Sequence, residues 1–305
     1  MKNPYLLLIF ATLFWAGNFV LSKAMSTEIP PVALAFWRWS MAFLLLVVVA
    51  RKKAYSDWPV IIRNIPVLIP ISFFGVAAFN TLIYVGLQDT SALNSLLLQS
   101  FFPVVVAGMS FLFLGERLRR WQLLGIILSL CGTLLLVARG NPVVLLSAQF
   151  NDGDLWIITA VFCYASYAEL LRYRPPIHAL SFLLITFGLG TLMLLPFYLW
   201  EHTQAAQLRW EQNTVLTVAY LAVFPSFISY LFFNEAVRRI GASTAGLFSH
   251  LVPLFGVSMA ILLLGEQFYN YHAMGAALIF SGIYLVIRYK KPKPKSHTVD
   301  KRKYS

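Results

Sequence analysis

The sequence predicts an all-α integral membrane protein of ten transmembrane helices, arranged as two inverted five-helix repeats. Three observations carry that expectation. Of 305 residues, 59% are hydrophobic and only 12% charged, whereas a soluble domain carries about a quarter charged residues. Ten stretches are long and apolar enough to cross a bilayer, which takes about 20 residues each. The chain also repeats itself at an offset of 150 residues between residues 92–137 and 242–287.

The stretches cover residues 5–23, 32–50, 65–87, 91–114, 119–138, 154–172, 178–200, 213–235, 242–264 and 269–288. The longest connections are expected at 51–64, 139–153 and 201–212, which leaves no room for a soluble domain. The first run starts almost at the N-terminus and lacks a small-x-small cleavage signal, so it is expected to remain as the first helix. Cys131 and Cys163 each lie inside an apolar run and are expected to be core thiols, not a disulfide.

Charge gives the orientation. The net charge is +12, but the basic residues sit in short loops and in the tail Arg288–Ser305, a pattern of membrane topology and not of nucleic-acid binding. With a cytoplasmic N-terminus, 20 of the 24 Lys and Arg residues fall on the cytoplasmic side and only Arg139 and Arg209 on the other; Lys23 and Arg38 lie in or beside spans. That asymmetry predicts cytoplasmic termini, an even number of spans and, for a bacterial chain, the inner membrane. Trp37, Trp58, Trp121, Trp156, Trp200 and Trp210 fall near span ends, where interfacial aromatics belong.

The repeat aligns without a gap and is identical at 12 of 46 positions, including Pro103/Pro253, Gly115/Gly265, Glu116/Glu266, Gly125/Gly275 and Gly132/Gly282. Backward, Pro30-Pro31 corresponds to Pro175-Pro176 with small gaps. Five spans per repeat is odd, so the halves cross the membrane in opposite directions. Such inverted repeats characterise transporters that alternate access around a midplane site. The expected organisation is a first repeat at 1–138, a connection at 139–153, a second repeat at 154–288 and a basic, proline-rich cytoplasmic tail at 289–305, drawn to anionic lipid.

Both halves carry proline, about eleven residues, Leu-Gly-Glu and then a glycine-containing span: PVVVAGMSFLFLGERLRRWQLLGIILSLCG and PLFGVSMAILLLGEQFYNYHAMGAALIFSG. Together with the opening FWAGNFVLSK, these segments resemble the EamA domains of the drug/metabolite transporter superfamily. The resemblance spans nearly the whole chain. It implies ten helices in an inverted five-plus-five arrangement around a central cavity, a first span that lines that cavity, and transport of metabolites, with amino-acid export common among bacterial members. Others move nucleobases, vitamins, nucleotide sugars or lipid-linked sugars.

Polar groups inside the membrane are costly and should face a cavity or a partner helix. Trp15 and Asn18 share a face of span 1; Asn80 and Tyr84, at i and i+4, share a face of span 3. In span 4, Pro103 releases the carbonyl of Gln99; its counterpart in span 9 is Ser249-His250 before Pro253. A released carbonyl beside polar side chains makes a midplane binding site. Tyr164 and Tyr167 add aromatic walls in span 6. The expected substrate site is therefore Trp15, Asn18, Asn80, Tyr84, Gln99, Tyr164, Tyr167 and His250, with helix kinks at Pro103 and Pro253. Each has a plainer alternative, packing between helices with a satisfied polar group. Glu169 is a candidate proton carrier, or simply an ion-pair partner of Arg172; Arg38 is a candidate carboxylate receptor, or a snorkelling cation. Glu235 reads as an ion pair with Arg238 and Arg239, and the paired glycines as helix contacts within the fold or in a homodimer.

The expected partners are a small-molecule substrate and the lipid bilayer, with no nucleic acid, cofactor or metal. No GxxxxGK[ST] stretch is present, which argues against ATP hydrolysis by this chain. No His-x4-Asp, His-Glu-x-x-His or Gly-x-Ser-x-Gly pattern supports the rival class, an intramembrane lipid-modifying enzyme. The leading expectation is a secondary transporter exporting small metabolites such as amino acids; the alternative is a flippase or importer for another solute.

Overall fold

Apolar sequence in a bilayer must satisfy its backbone internally, and helices do so within one segment. The computed structural model describes residues 3–116, 118–146, 149–204, 208–264 and 267–289. Ten helices in it are long and apolar enough to span a membrane: α1 Pro4–Ala24, α2 Pro31–Arg63, α3 Ile65–Asp89, α4 Leu93–Phe113, α5 Arg120–Val137, α6 Asp152–Tyr173, α7 Ala179–Gln204, α8 Gln212–Ile240, α9 Ala242–Leu262 and α10 Asn270–Arg288. No strand occurs among the described residues. The protein is an all-α, multi-pass membrane protein. Lys2, Arg117, Gly265, Glu266 and the tail 290–305 lie outside the described residues.

The helix ends follow local chemistry. Pro4 and Pro31 open α1 and α2, where a missing N–H costs nothing. Asn3 caps α1 by accepting from the Tyr5 N–H at 2.9 Å. Asn151 and Asp154 form a reciprocal cap on α6. Gly115 closes α4 in the left-handed conformation, φ 65°, as its place in the Leu-Gly-Glu motif anticipates.

One expectation fails. Residues 51–64 are not a loop: α2 runs unbroken for 33 residues through Arg51, Lys52 and Lys53, with Pro59 inside it. Ala50, Ala54 and Ile61 are buried at helical spacing, so this basic extension keeps one apolar face on the protein while its charges face out.

The dominant packing pairs are α5 with α10, α2 with α7, α3 with α6, α1 with α8, α4 with α6 and α1 with α9. This set maps onto itself when each helix is exchanged for the one five places away. Local irregularities share the pattern: π-helical stretches interrupt α3 at Phe73–Ala78 and α8 at Ala222–Ile228. Such stretches recur at functional sites because they break helical register.

The glycines use their missing side chains between α5 and α10. A Cβ on Gly125 would lie 2.5 Å from the Gly282 carbonyl oxygen, and one on Gly132 would lie 2.7 Å from that of Gly275. The seam therefore belongs to the interior of this chain.

Candidate functional site

The two proline positions lie where the halves meet. In α4 the helix is interrupted at Phe101, just before Pro103, and in α9 a 3-10 turn, Leu247–His250, precedes Pro253. The two irregularities touch: His250 Nε2 lies 2.8 Å from the Ser100 carbonyl oxygen and Nδ1 lies 2.8 Å from Ser129 Oγ. A carbonyl only accepts, so Nε2 carries a proton. His250 is fully buried and outside the cavity wall, so its observed role is to join the two breaks.

Beside this junction lies a cavity of about 80 Å³, lined in part by Trp15, Asn18, Phe79, Asn80, Gln99, Phe102, Tyr164, Tyr230, Ser249 and Pro253. Five of the eight expected substrate residues are on that wall: Trp15, Asn18, Asn80, Gln99 and Tyr164. Tyr84, Tyr167 and His250 stand behind it. Pro253 reaches the wall and Pro103 does not. Part of the wall is an aromatic cluster: Tyr164 stacks on Phe79 at 4.3 Å and meets Trp15 edge-on at 5.7 Å and Phe102 at 5.3 Å. Trp15 donates its indole N–H to the Pro225 carbonyl at 3.2 Å, within the π-helical stretch of α8. Two wall hydroxyls, Tyr164 Oη and Ser249 Oγ, are buried without a partner. An unpaired buried polar group costs about 1–3 kcal/mol, so native proteins rarely keep one without use.

Behind the wall sits Arg38, 1% exposed. Its Nε donates to Ser226 Oγ at 2.5 Å; its Nη1 donates to Asn18 Oδ1 at 2.9 Å, to Asn80 Oδ1 at 2.8 Å and to Tyr84 Oη. Tyr84 also donates to Asn18 Oδ1 at 3.1 Å. Arg38 does not snorkel. It ties α2 to α1, α3 and α8, and among the described residues no carboxylate pairs with it. Desolvating such a cation costs several kcal/mol, which hydrogen bonds donated to neutral groups offset only in part.

The polar layer is duplicated. Asn80 Nδ2 donates to Tyr230 Oη at 3.3 Å, which donates to the Gly75 carbonyl at 2.6 Å; Asn80 and Tyr230 differ by the repeat offset of 150. Tyr84 and Asn234 are related in the same way. Tyr84 bonds Asn18 on α1, and Asn234 accepts from Tyr167 on α6 at 2.6 Å, so the second half makes the same contact with the residue types exchanged. Tyr230 and Asn234 were absent from the expected site; extending the repeat offset backward past residue 92 was the signal that could have found them.

The two ends of the bundle differ. At the end carrying most of the basic residues, a vestibule of about 1060 Å³ is lined by Glu116, Arg172, Arg174, His178, Glu235 and Arg238 among others. Glu169 stands beside it, pairs with Arg172 at 2.6 Å and accepts from Ser110. The ion-pair alternative for Glu169 is thus the geometry observed. Glu235 pairs with Arg238 at 2.7 Å and Arg239 at 2.6 Å. Arg174 stacks 4.5 Å over Phe182, and burial lowers its pKa from the ordinary value. At the opposite end, a hydrogen-bonded cluster joins α1, α3, α4 and α6. Lys23 Nζ donates to the Leu87 and Thr90 carbonyls at 2.9 and 3.1 Å, and Asp154 accepts from Thr90 and from Asn94, the latter at 3.1 Å. No group of three or more His, Cys, Asp or Glu side chains that could hold a metal occurs among the described residues.

Comparison with known proteins places this architecture. The protein is 27% identical over 283 residues to the uncharacterized transporter YyaM of Bacillus subtilis, with 92% of each chain covered. It is 29% identical over 295 residues to an uncharacterized transporter of Archaeoglobus fulgidus, covering 93% of this chain and 97% of that one. It is 28% identical over 297 residues to a probable amino-acid metabolite efflux pump of Salmonella typhimurium, covering 93% and 94%. A solved crystal structure superposes with TM-score 0.74 over 95% of this chain and all of that one at 16% identity, a likeness of fold. The EamA-like transporter family model matches twice, at residues 2–138 and 151–288, one match on each half of the bundle. With both halves matched, the chain belongs to the EamA-like transporter family.

Proposed function

We propose that the protein is a secondary transporter that exports small amphipathic metabolites, amino acids among them, by alternating access around the mid-depth cavity. The observation that carries this reading is the cavity itself: polar and aromatic side chains converge where the two helix breaks meet, with a vestibule toward one end and a polar seal toward the other. The basic end is taken as cytoplasmic by the distribution of Lys and Arg. In this state the vestibule then faces the cytoplasm, where an exporter loads.

The exchange pattern of helix packing supports two inverted five-helix units as the moving bodies. Rocking one unit against the other would open the Lys23–Asp154 seal and close the vestibule. The names of the efflux-pump relatives favour amino-acid metabolites as cargo. The reading also agrees with a chain that works as a carrier and not as an enzyme, since every relative cited above is named a transporter or a pump.

The test is untargeted mass spectrometry of the medium of cells overproducing the wild type or Gln99→Leu, which keeps volume and removes the amide from the wall. A metabolite enriched outside only with the wild type names the cargo. Equal media, with both proteins present in the membrane, would contradict export and favour uptake or lipid flipping.

A further inference from the structure

Arg38 is a buried cation whose known contacts are all neutral, and the second half of the chain does without it. The Pro30-Pro31 and Pro175-Pro176 match places Arg38 opposite the stretch Leu183–Phe187, which holds no charged residue. Both α2 and α7 fold and pack against each other, so the five-helix unit does not need this charge to form. The charge therefore serves something that only one half provides.

Asn18 shows what that is. Its Oδ1 receives hydrogen bonds from Arg38 and Tyr84, at 2.9 and 3.1 Å. Arg38 can only donate, which fixes the amide with its oxygen toward the guanidinium and its N–H2 turned away. Asn18 lines the cavity, and among the described residues its amide N–H groups have no protein acceptor. Among the described residues no acidic side chain lines the cavity. An ammonium group there would meet a nearby cation and no counter-charge, whereas a carboxylate would meet polarised N–H donors backed by a guanidinium.

We infer that the cavity binds its substrate by a carboxylate, with Asn18 donating to the carboxylate oxygens and Arg38 supplying the counter-charge from behind, so that the cargo is an amphipathic monocarboxylate whose apolar body lies on the Trp15, Phe79 and Tyr164 wall. This rests on the transporter reading above and names its substrate class. Arg38 is a positioning residue: it orients Asn18 and sets the sign of the site.

The experiment measures binding of three probes that share one apolar body, phenylacetate, phenylacetamide and phenylethylamine, to the purified full-length protein by calorimetric titration. In the wild type, phenylacetate should bind at least tenfold more tightly than the amide, and the amine more weakly still. In Asn18→Leu and in Arg38→Gln the difference between phenylacetate and phenylacetamide should shrink to about twofold, while Arg38→Lys should restore part of it. Arg38 joins four side chains; if its replacement by Gln does not fold, Asn18→Leu decides, since it leaves the Ser226, Asn80 and Tyr84 contacts in place. Equal binding of acid and amide, no binding of any probe, or an unchanged preference in Asn18→Leu would overturn the inference. The exporter reading fails separately. Export of a metabolite without a carboxylate would remove this proposal and leave that reading standing, whereas an anion preference without export would do the reverse.

Discussion

Two tyrosines on α6, three residues apart and stacked at 5.4 Å, should respond to loss of their hydroxyls with opposite signs. Tyr164 Oη is buried with no partner, while Tyr167 Oη donates to Asn234 Oδ1 at 2.6 Å. Both side chains are nearly inaccessible, at 4% and 1% exposure, so solvent does not rescue either change. Replacing Tyr164 by Phe removes a desolvated, unpaired hydroxyl and should stabilise the empty protein by about 1 kcal/mol, toward the low end of the 1–3 kcal/mol such groups cost. Replacing Tyr167 by Phe removes a bond and strands Asn234 Oδ1; Asn234 Nδ2 already lacks a partner, so no local rearrangement compensates. The expected loss is about 1–3 kcal/mol. The assay is unfolding of purified protein in a denaturing-detergent titration, followed by helical circular dichroism. Export should fall in Tyr164→Phe despite its greater stability if the hydroxyl is kept for cargo or for a second state. Two losses of similar size would refute the hydrogen-bond assignment on α6.

Other consequences follow from particular contacts. A Cβ on Gly282 would lie 2.4 Å from the Gly125 carbonyl oxygen, so Gly282→Ala should cost about 1–3 kcal/mol by forcing α5 and α10 apart, whereas Gly108→Ala, with open space around it, should be neutral or slightly stabilising in the same titration. Glu201 accepts from the N–H groups of Val32 and Ala33 at 3.0 and 2.7 Å, capping α2 from α7; Glu201→Ala should lower stability by about 1–2 kcal/mol, and Glu201→Gln by less. Glu169→Gln breaks the pair with Arg172 but keeps an acceptor for Ser110, so the pH profile of efflux should stay unchanged; a displaced profile would mean that the carboxyl carries a coupled proton.

Much of the fold was legible because the membrane imposes long apolar runs and because the prolines and glycines stand in register. Where the pattern misled, at residues 51–64, a cluster of basic residues resembled a loop, while the sparse buried positions Ala50, Ala54 and Ile61 kept the helix going. The cavity wall was partly legible for the same reason: a polar residue in an apolar span needs a reason to be there. The spacing of Asn80 and Tyr84 puts both on one face, yet Asn80 reaches the cavity and Tyr84 turns to Arg38. Helical periodicity gives the face of a residue but not the neighbour that face meets. His250 shows the limit most clearly, since its sequence context suggested a ligand and its surroundings make it a bridge between the two helix breaks. That Arg38 meets only neutral acceptors among the described residues could not be read at all, because it depends on what α1, α3 and α8 place around it.

The account stands or falls on one cavity reached in turn from both sides of the membrane. With Cys131 and Cys163 replaced by Ser, Gln99→Cys puts a single thiol on the cavity wall. A membrane-impermeant maleimide is then applied to intact cells and, separately, to inverted vesicles. Labelling from both sides, slowed by bound cargo, is the predicted result; labelling confined to one side, whatever the cargo, would contradict alternating access.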